Sequence, residues 1–564
     1  MKAMTRSGSI WTLTFTLALA ATAAPMRAQQ TSEARIQELI RLAAERVSTG
    51  QAATQSTPTQ TPSASPPDTR PVVRLSLDDA VKFALDRNLD IAVQRLNPQI
   101  NDIAISSLRA VYHPSLTSTI SQNSQTAAPL NQLIGGTTGV VTDNFVYNGG
   151  IAQSLPFGGG SFQVTMNNNR QTSNSNNVFY NPQFQSLWTA SYVQPVARGF
   201  RTDSTRQQLQ VTRLNRDISD VQLQASITNT VSNVRSAYWD FVYATQAVEV
   251  ARQSLDLANK LVQDNQTRVQ VGTMAPIDVV QAQSEAATRR QALVAAESTQ
   301  RTTELALKRL IVDGTQDPNW NAAFEPTDRP EFRPEGIDLD AAIRRALSER
   351  TDIAIAKKNI ESNDVTLKYL RDQLLPQADL QINYGVQGIG GPFLQRSNTG
   401  VLGSQVTTIV PGGIGDAFGS LFNASYPRWS VQMNISYPLG LSSQEAAVAR
   451  ARVQLNQVQA QIKQIELQVA TDVSNAAISV RNSAEAVQAA QAARELSQRK
   501  LEAEQSKFEV GMSTNYFVVQ AQRDLADAQN SELRAVLNYR KALVELERVQ
   551  QTTLQNLNIT ILGR

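Results

Sequence analysis

The sequence contains no cysteine, which removes disulfides, thiolate metal sites and cysteine nucleophiles in one step. The acylated N-terminal cysteine of a lipoprotein is absent as well. The only histidine, His113, precedes Pro114, so histidine-based triads and multi-histidine metal sites are excluded. The formal net charge is only +3, with no basic run, and nucleic acid is therefore not an expected partner. Beyond the N-terminal leader, no segment holds the ~18 consecutive apolar residues that a membrane-spanning helix needs. Carboxylates, lysines and hydroxyls are all that is left for catalysis. Neither an enzyme nor a cofactor or metal site is expected.

What is present begins with Lys2 and Arg6, an apolar run from Ile10 to Ala24, and Met26-Arg27-Ala28. This is the pattern of a signal peptide over residues 1–28, too short for a membrane helix. An exported chain without such a helix is periplasmic, secreted, or a β-barrel in an outer membrane. Residues 29–74 read as an N-terminal extension. A short amphipathic patch (Ile36, Leu39, Ile40, Ala43, Val47) leads into a Thr/Ser/Gln/Pro-rich linker from Gln51 to Pro71.

The body is a tandem duplication. Leu75-Ser-Leu-Asp-Asp-Ala80 returns as Ile337-Asp-Leu-Asp-Ala-Ala342, Asp90-Ile91-Ala92 as Asp352-Ile353-Ala354, and Pro114 as Pro376. Further on, Val271-Gly272 matches Val510-Gly511, and Val280-Gln-Ala-Gln283 matches Val519-Gln-Ala-Gln522. The second offset is shorter by 23 residues, which places an insertion in the first copy between Pro114 and Gly272. The first repeat covers 75–311, an inter-repeat linker 312–336, the second repeat 337–550, and a C-terminal tail 551–564.

Each repeat reads as helix, alternating segment, long helix, glycine turn, helix. Expected helices run over 77–113, 203–270 and 277–311, then 339–375, 442–509 and 516–550. A helix of ~67 residues spans roughly 100 Å, as do two of ~35 end to end. Leu455, Val458, Ile462, Ile465 and Val469, continuing through Val473, Ala476, Val480, Ala484 and Val487, step by three and four. Such mixed spacing nearly cancels supercoiling. By periodicity alone, an ordinary antiparallel bundle fits as well as a tube wall.

The strands decide between them. Ser430–Tyr437 alternates strictly, with Val431, Met433, Ile435 and Tyr437 on one face and Ser430, Gln432, Asn434 and Ser436 on the other. Strands are expected near 116–124, 185–195, 378–385 and 429–438. One apolar and one uncharged polar face suit a barrel with lipid outside and water inside. Trp188, Tyr192, Trp429 and Tyr437 stand where membrane-interface aromatics belong. Four strands cannot close a barrel, because the smallest membrane barrels have about eight. Three copies in cyclic symmetry give twelve. Residues 145–166 also alternate around Gly158-Gly-Gly160, as either a hairpin above the barrel, the preferred reading, or two added strands.

The order of elements, with Leu77-Asp-Asp-Ala80 and Leu339-Asp-Ala-Ala342 opening the repeats and Tyr192-Val-Gln-Pro195 and Tyr437-Pro438 leaving the strands, resembles the TolC-like outer membrane efflux protein family. The turns Val271-Gly272…Asp278 and Val510-Gly511 are similar too, and the resemblance covers roughly 75–550. It implies a mainly α fold with a periplasmic α-barrel and a membrane β-barrel, the inter-repeat linker 312–336 forming the equatorial region. It also implies a homotrimer in outer-membrane lipid that docks a periplasmic adaptor (membrane fusion) protein and an inner-membrane transporter. The chain is then the exit duct of an efflux or type I secretion system. The alternative is an exported coiled-coil structural or adhesive protein without a pore.

The two turns are the candidate periplasmic gate. Gly272 and Gly511 suit left-handed helix C-caps, and Pro276 the first turn of the next helix. Thr514 or Ser513 is a candidate cap. Asp278 either complements the helix dipole or, in a trimer, forms a carboxylate ring that favours cations. The matching positions of the second copy are Phe517 and Gln520, so closure there is expected to be steric. Asp78 and Asp79, at a helix start, read as caps rather than as acid/base partners, and Gly413-Ile-Gly415…Gly419 as a flexible loop rather than a phosphate loop.

Overall fold

A polar residue with a backbone-bonding side chain starts half of the described helices, and the computed structural model describes residues 70–128, 139–175, 178–329, 332–334, 336–396, 406–440 and 442–559. The expected signal peptide, and the extension as far as residue 69, lie outside the described residues. Ser76 accepts from the Asp79 amide at 3.2 Å and opens α1 (Leu77–Arg87). Asp78 and Asp79 occupy its first turn, and Ser76 rather than either aspartate is the cap.

One helix was expected over 77–113, but the chain makes three: α1, α2 (Leu89–Gln94) and α3 (Leu96–Ala110). The cause of the first break is Asn88, extended at φ −67° and ψ 123°, whose side chain caps Ile91 N and donates to Leu310 O at 2.9 Å. The second repeat breaks at the matching position. There Arg350 (φ −64°, ψ 131°) divides α7 (Leu339–Glu349) from α8 (Thr351–Asp372) and ties Asp352 to Asp472.

The long rods are α4 (Ser204–Gln270) and α10 (Ser443–Glu509), each of 67 residues. Asp203 caps the first, and a Ser442/Glu445 capping box starts the second. They turn into α5 (Pro276–Ile311) and α11 (Asn515–Val549). On α10 the buried positions Val469, Val473, Ala476, Val480 and Val487 lie on the three-and-four stripe. They pack against Ala346, Ile353, Tyr539 and Leu546. Each buried valine contributes about 1.5–3 kcal/mol of transfer free energy. A matching core in the first repeat gathers Leu75, Ala84, Tyr238, Phe241, Leu307 and Ile311, and takes Leu537 and Val544 from α11.

The linker carries α6 (Pro318–Asn321) and β6 (Ala323–Pro326), which pairs in parallel with β1 (Val72–Leu75). Tyr238 donates its hydroxyl toward Leu75 O and Asp328, at 3.0 and 2.6 Å. It thereby pins this two-stranded ribbon to α4. The C-terminal α12 (Thr553–Asn556) returns to the first repeat, where Leu554 packs with Val81, Ile91, Ile227 and Val231.

The strands β2 (Ser115–Ala127), β3 (Val140–Ser154), β4 (Ser161–Ser173), β5 (Gln183–Pro195), β7 (Gln377–Gly390) and β10 (Tyr426–Ser436) form one antiparallel sheet. Their order is β10-β7-β5-β4-β3-β2. This corrects the count of four strands per protomer. The expected four are present, and the segment at 145–166 is not a hairpin standing apart but two further strands, β3 and β4, wedged between β2 and β5. Continuous registers on both sides hold them there, from Ser115↔Ala152 to Ala127↔Val140 and from Ser161↔Val193 to Gln171↔Gln183.

A small ribbon of β8 (Phe393–Arg396) and β9 (Val406–Val410) precedes α9 (Ile414–Phe422), whose N-terminus is Gly413. Helix α9 lies on β7, where Gly388 and Gly390 let it approach. Among the described residues no helix is long and apolar enough to cross a membrane.

Candidate functional site

Residues paired across an antiparallel sheet share a face, so the registers define two surfaces. One rung runs Trp429–Tyr384–Ala190–Val164–Ile151–Leu116, and its neighbour joins Val431, Ile382, Tyr192 and Phe162. The opposite face holds rungs such as Ser430–Asn383–Ser191–Gln163–Ala152–Ser115. Ser191 donates to Asn383 at 2.7 Å, and the Asn383 amide to Ser430 at 3.1 Å. A face rich in apolar residues and a hydrogen-bonding polar one extend across the sheet; Asp379 and Arg428 stand on the polar face, and Asp143 and Arg170 on the other, at the end away from α4.

Trp188, Tyr192 and Trp429 all stand on the apolar face. Tyr437 is one residue past the end of β10, exposed and in step with Ile435. Trp188 meets Tyr384 edge-on at 6.0 Å, and the Tyr192 hydroxyl donates to Gln194 at 2.6 Å. Trp429 and Tyr437 are separated by roughly 27 Å along the strand at ~3.4 Å per residue.

At the other end of the rods, Gly272 and Gly511 share one conformation, φ +78° each, in the left-handed region that glycine adopts without cost. Pro276 starts α5, with Asp278 in its first turn. Thr514 is the residue before α11 but makes no side-chain cap, while the Ser513 hydroxyl donates to Glu504 at 2.7 Å.

The two turns are held together. The Asn265 amide donates to Asn515 Oδ1 at 2.9 Å, both residues being buried, and Asn515 donates to Asp278 O at 3.3 Å. Arg268 lies 4.5 Å over the Phe508 ring. A carboxylate, Glu285 of α5, is buried beneath them and accepts from Arg289 at 2.7 Å and from Arg523 of α11 at 3.0 Å. Burial pushes its pKa up, but the two guanidiniums outweigh that and hold it below the ordinary value.

Phe517 is exposed and stacks edge-on with Tyr516 at 5.6 Å. The Gln520 amide donates to Asp524 at 2.8 Å on its own helix. Asp524 also accepts from Lys500 at 2.7 Å; this bond, with help from Gln520, keeps its carboxyl below the usual range. The candidate gate residues are thus gathered at one paired tip. Glu285, Arg523, Asn265 and Asn515 were not singled out by the sequence. Their signal was polar residues at core spacing, such as Glu285 three residues after buried Ala282.

The model of the outer membrane efflux protein family matches residues 160–311 and 342–550. The chain belongs to this family. Among curated proteins no sequence matches it significantly. Solved structures share the fold. The Campylobacter jejuni CmeC outer membrane channel is 14% identical, with 86% of this chain and 88% of that one covered and a TM-score of 0.60. For VceC, an outer membrane protein of Vibrio cholerae, the figures are 14%, 84%, 95% and 0.58. For the open state of the Neisseria gonorrhoeae MtrE outer membrane channel they are 16%, 84%, 88% and 0.55. The chain is accordingly an outer-membrane protein, and its fold is that of the channel-tunnels.

Proposed function

We propose that this protein is the passive exit duct of a tripartite efflux or type I secretion system. Three copies close their sheets into one barrel in the outer membrane, and their rods form the periplasmic tunnel. The observation that carries the reading is the sheet, largely apolar on one face and polar on the other, joined directly to rods of 67 residues. Trp188, Tyr192, Trp429 and Tyr437 anchor the barrel at the membrane interfaces. The duct performs no chemistry, and an inner-membrane transporter supplies the energy.

The paired tip is the periplasmic mouth. Val271, Ile277, Val280, Val510 and Met512 are exposed there, an apolar surface suited to a periplasmic adaptor. Gly272 and Gly511 shape the two turns, and Asp278, Phe517 and Gln520 form the gate. Membrane fractionation and planar-bilayer recording test the duct together. Outer-membrane sedimentation with stable single-channel conductance is expected; a soluble, non-conducting product overturns it in favour of a poreless coiled-coil protein.

A further inference from the structure

We propose that the inserted hairpin β3–β4 is a full pair of membrane strands, so that three copies close an eighteen-stranded barrel, wide-bored for its tunnel. This rests on the duct reading and adds the width of its outer opening.

The hairpin obeys the barrel's own rules. A transmembrane strand needs about 9–11 residues, and β3 and β4 have 15 and 13. Phe145, Tyr147, Ile151, Phe162, Val164 and Met166 fall on the same face as Trp429 and Trp188, while Asn144, Asn148, Gln163, Thr165, Asn167 and Asn169 fall on the other. A hairpin standing in water has no need of an apolar row in register with its neighbours. The hairpin's own turn, 155–160, is closed by the Leu155 amide on Gly160 O at 2.7 Å. It lies at the end of the sheet from which α4 departs, and Arg206 of α4 reaches Gly199 O at 2.7 Å beside it. Short turns on the periplasmic side and longer connections outside are the rule for such barrels.

The edges point to a second copy of this chain as the occupant. Among the described residues β2 and β10 each have one hydrogen-bonded neighbour, and in hydrocarbon every backbone group must be paired. With six antiparallel strands, the first and last run in opposite directions. The β10 edge of one copy therefore continues the up-and-down order against the β2 edge of the next, head to tail, until the ring closes. An inserted pair keeps that parity, which a single added strand destroys. Barrel diameter grows roughly linearly with strand number, and barrels of about 16–18 strands enclose an open aqueous channel. The barrel is thus about 1.5 times as wide as one of twelve strands.

The natural absence of cysteine allows a clean spin-label test on the full chain in lipid. Val164→Cys and Thr165→Cys probe the hairpin, and Ile435→Cys and Asn434→Cys serve as controls on β10. Oxygen is expected to broaden the labels at 164 and 435, and a water-soluble nickel chelate those at 165 and 434. Chelate access at both 164 and 165, with alternating controls, overturns the inserted strands. Controls that do not alternate refute the duct itself. Native mass measurement is expected to give three copies, whereas two copies overturn the eighteen-strand count. Deletion of residues 140–173 is expected to lower the radius of the largest polyethylene glycol that enters from the barrel side about 1.5-fold. An unchanged cut-off overturns the wide bore, and the label scan decides the strand assignment if the deletion does not assemble.

Discussion

Arg523 of α11 donates two hydrogen bonds to one carboxylate oxygen of Glu285 on α5, through Nε at 3.0 Å and through a terminal nitrogen. The bond joins the two repeats at their tips. At the position matching Glu285 stands Asp524, which is paired with Lys500 inside its own hairpin. Likewise Asn265 reaches across to Asn515, while its counterpart Glu504 binds Ser513 and Lys507 within its own turn. Glu285 and Asn265 of the first copy are bonded across to the second, while their counterparts Asp524 and Glu504 bond within their own hairpin.

The clasp predicts an easier opening when it is cut. Removing Arg523 leaves Glu285 buried with Arg289 alone. Loss of one partner of a buried pair costs about 3–5 kcal/mol. Because Arg523 is 48% exposed and Arg289 remains, Arg523→Ala is expected to cost roughly 1–2 kcal/mol. Higher open probability in bilayers and faster amide exchange in 276–290 are the readouts. The pH dependence has a fixed sign. The folded-state pKa of Glu285 lies below the ordinary 4.5, so its contribution is complete above that value and is lost as pH falls through the lowered one. Acid opening that survives unchanged in Glu285→Gln contradicts the assignment.

The fold was legible where side-chain period and backbone period coincide. Ser430–Ser436 alternates without interruption, and the stripe on α10 keeps its steps through Val469, Val473 and Val480. The break at Asn88 was hidden because it falls inside a continuing apolar pattern, and only the capping geometry reveals it. β3 and β4 were equally readable as alternating strands, but their place in the sheet depends on pairing over a long loop. Sequence shows the alternation, not the neighbour. The tip glycines and Pro276 were visible as punctuation, whereas Asn265 and Asn515 are polar residues in a helical seam, whose meaning appears only when both helices are in place.

That Asn pair predicts a specific pattern of loss. Asn515→Ala removes the acceptor for the Asn265 amide, which is 0% exposed. A stranded buried donor costs about 1–3 kcal/mol. Replacing both residues by leucine is expected to recover most of the loss, since no polar group is then left unpaired. Denaturation of the single and double variants measures it, and a double variant as weak as the sum of two singles defeats the pairing.

Helix α9 depends on the missing side chain at Gly388. A Cβ there stands 1.9 Å from Ala417 O, so the helix has to move. Gly388→Ala is expected to cost roughly 1–3 kcal/mol by overpacking and to expose 414–422 to protease in otherwise intact membranes. Protease resistance equal to the parent indicates that the helix is held elsewhere.

The gate itself separates charge from bulk. Asp278 is partly buried in the first turn of α5, with its carbonyl bound by Asn515, and on the proposed reading its carboxylate faces the pore. Three such groups in a ring favour cations, and Asp278→Asn is expected to move the reversal potential in a salt gradient toward zero with little change in conductance. Phe517 has no charge, and 54% of it is exposed; Phe517→Ala is expected to raise conductance while leaving ion selectivity alone. If selectivity is untouched by Asp278→Asn, the aspartate serves only its helix dipole, worth about 0.3–1 kcal/mol. If conductance is untouched by Phe517→Ala, the ring lies on the outer surface of the tip and belongs with Val510 and Met512 to the adaptor.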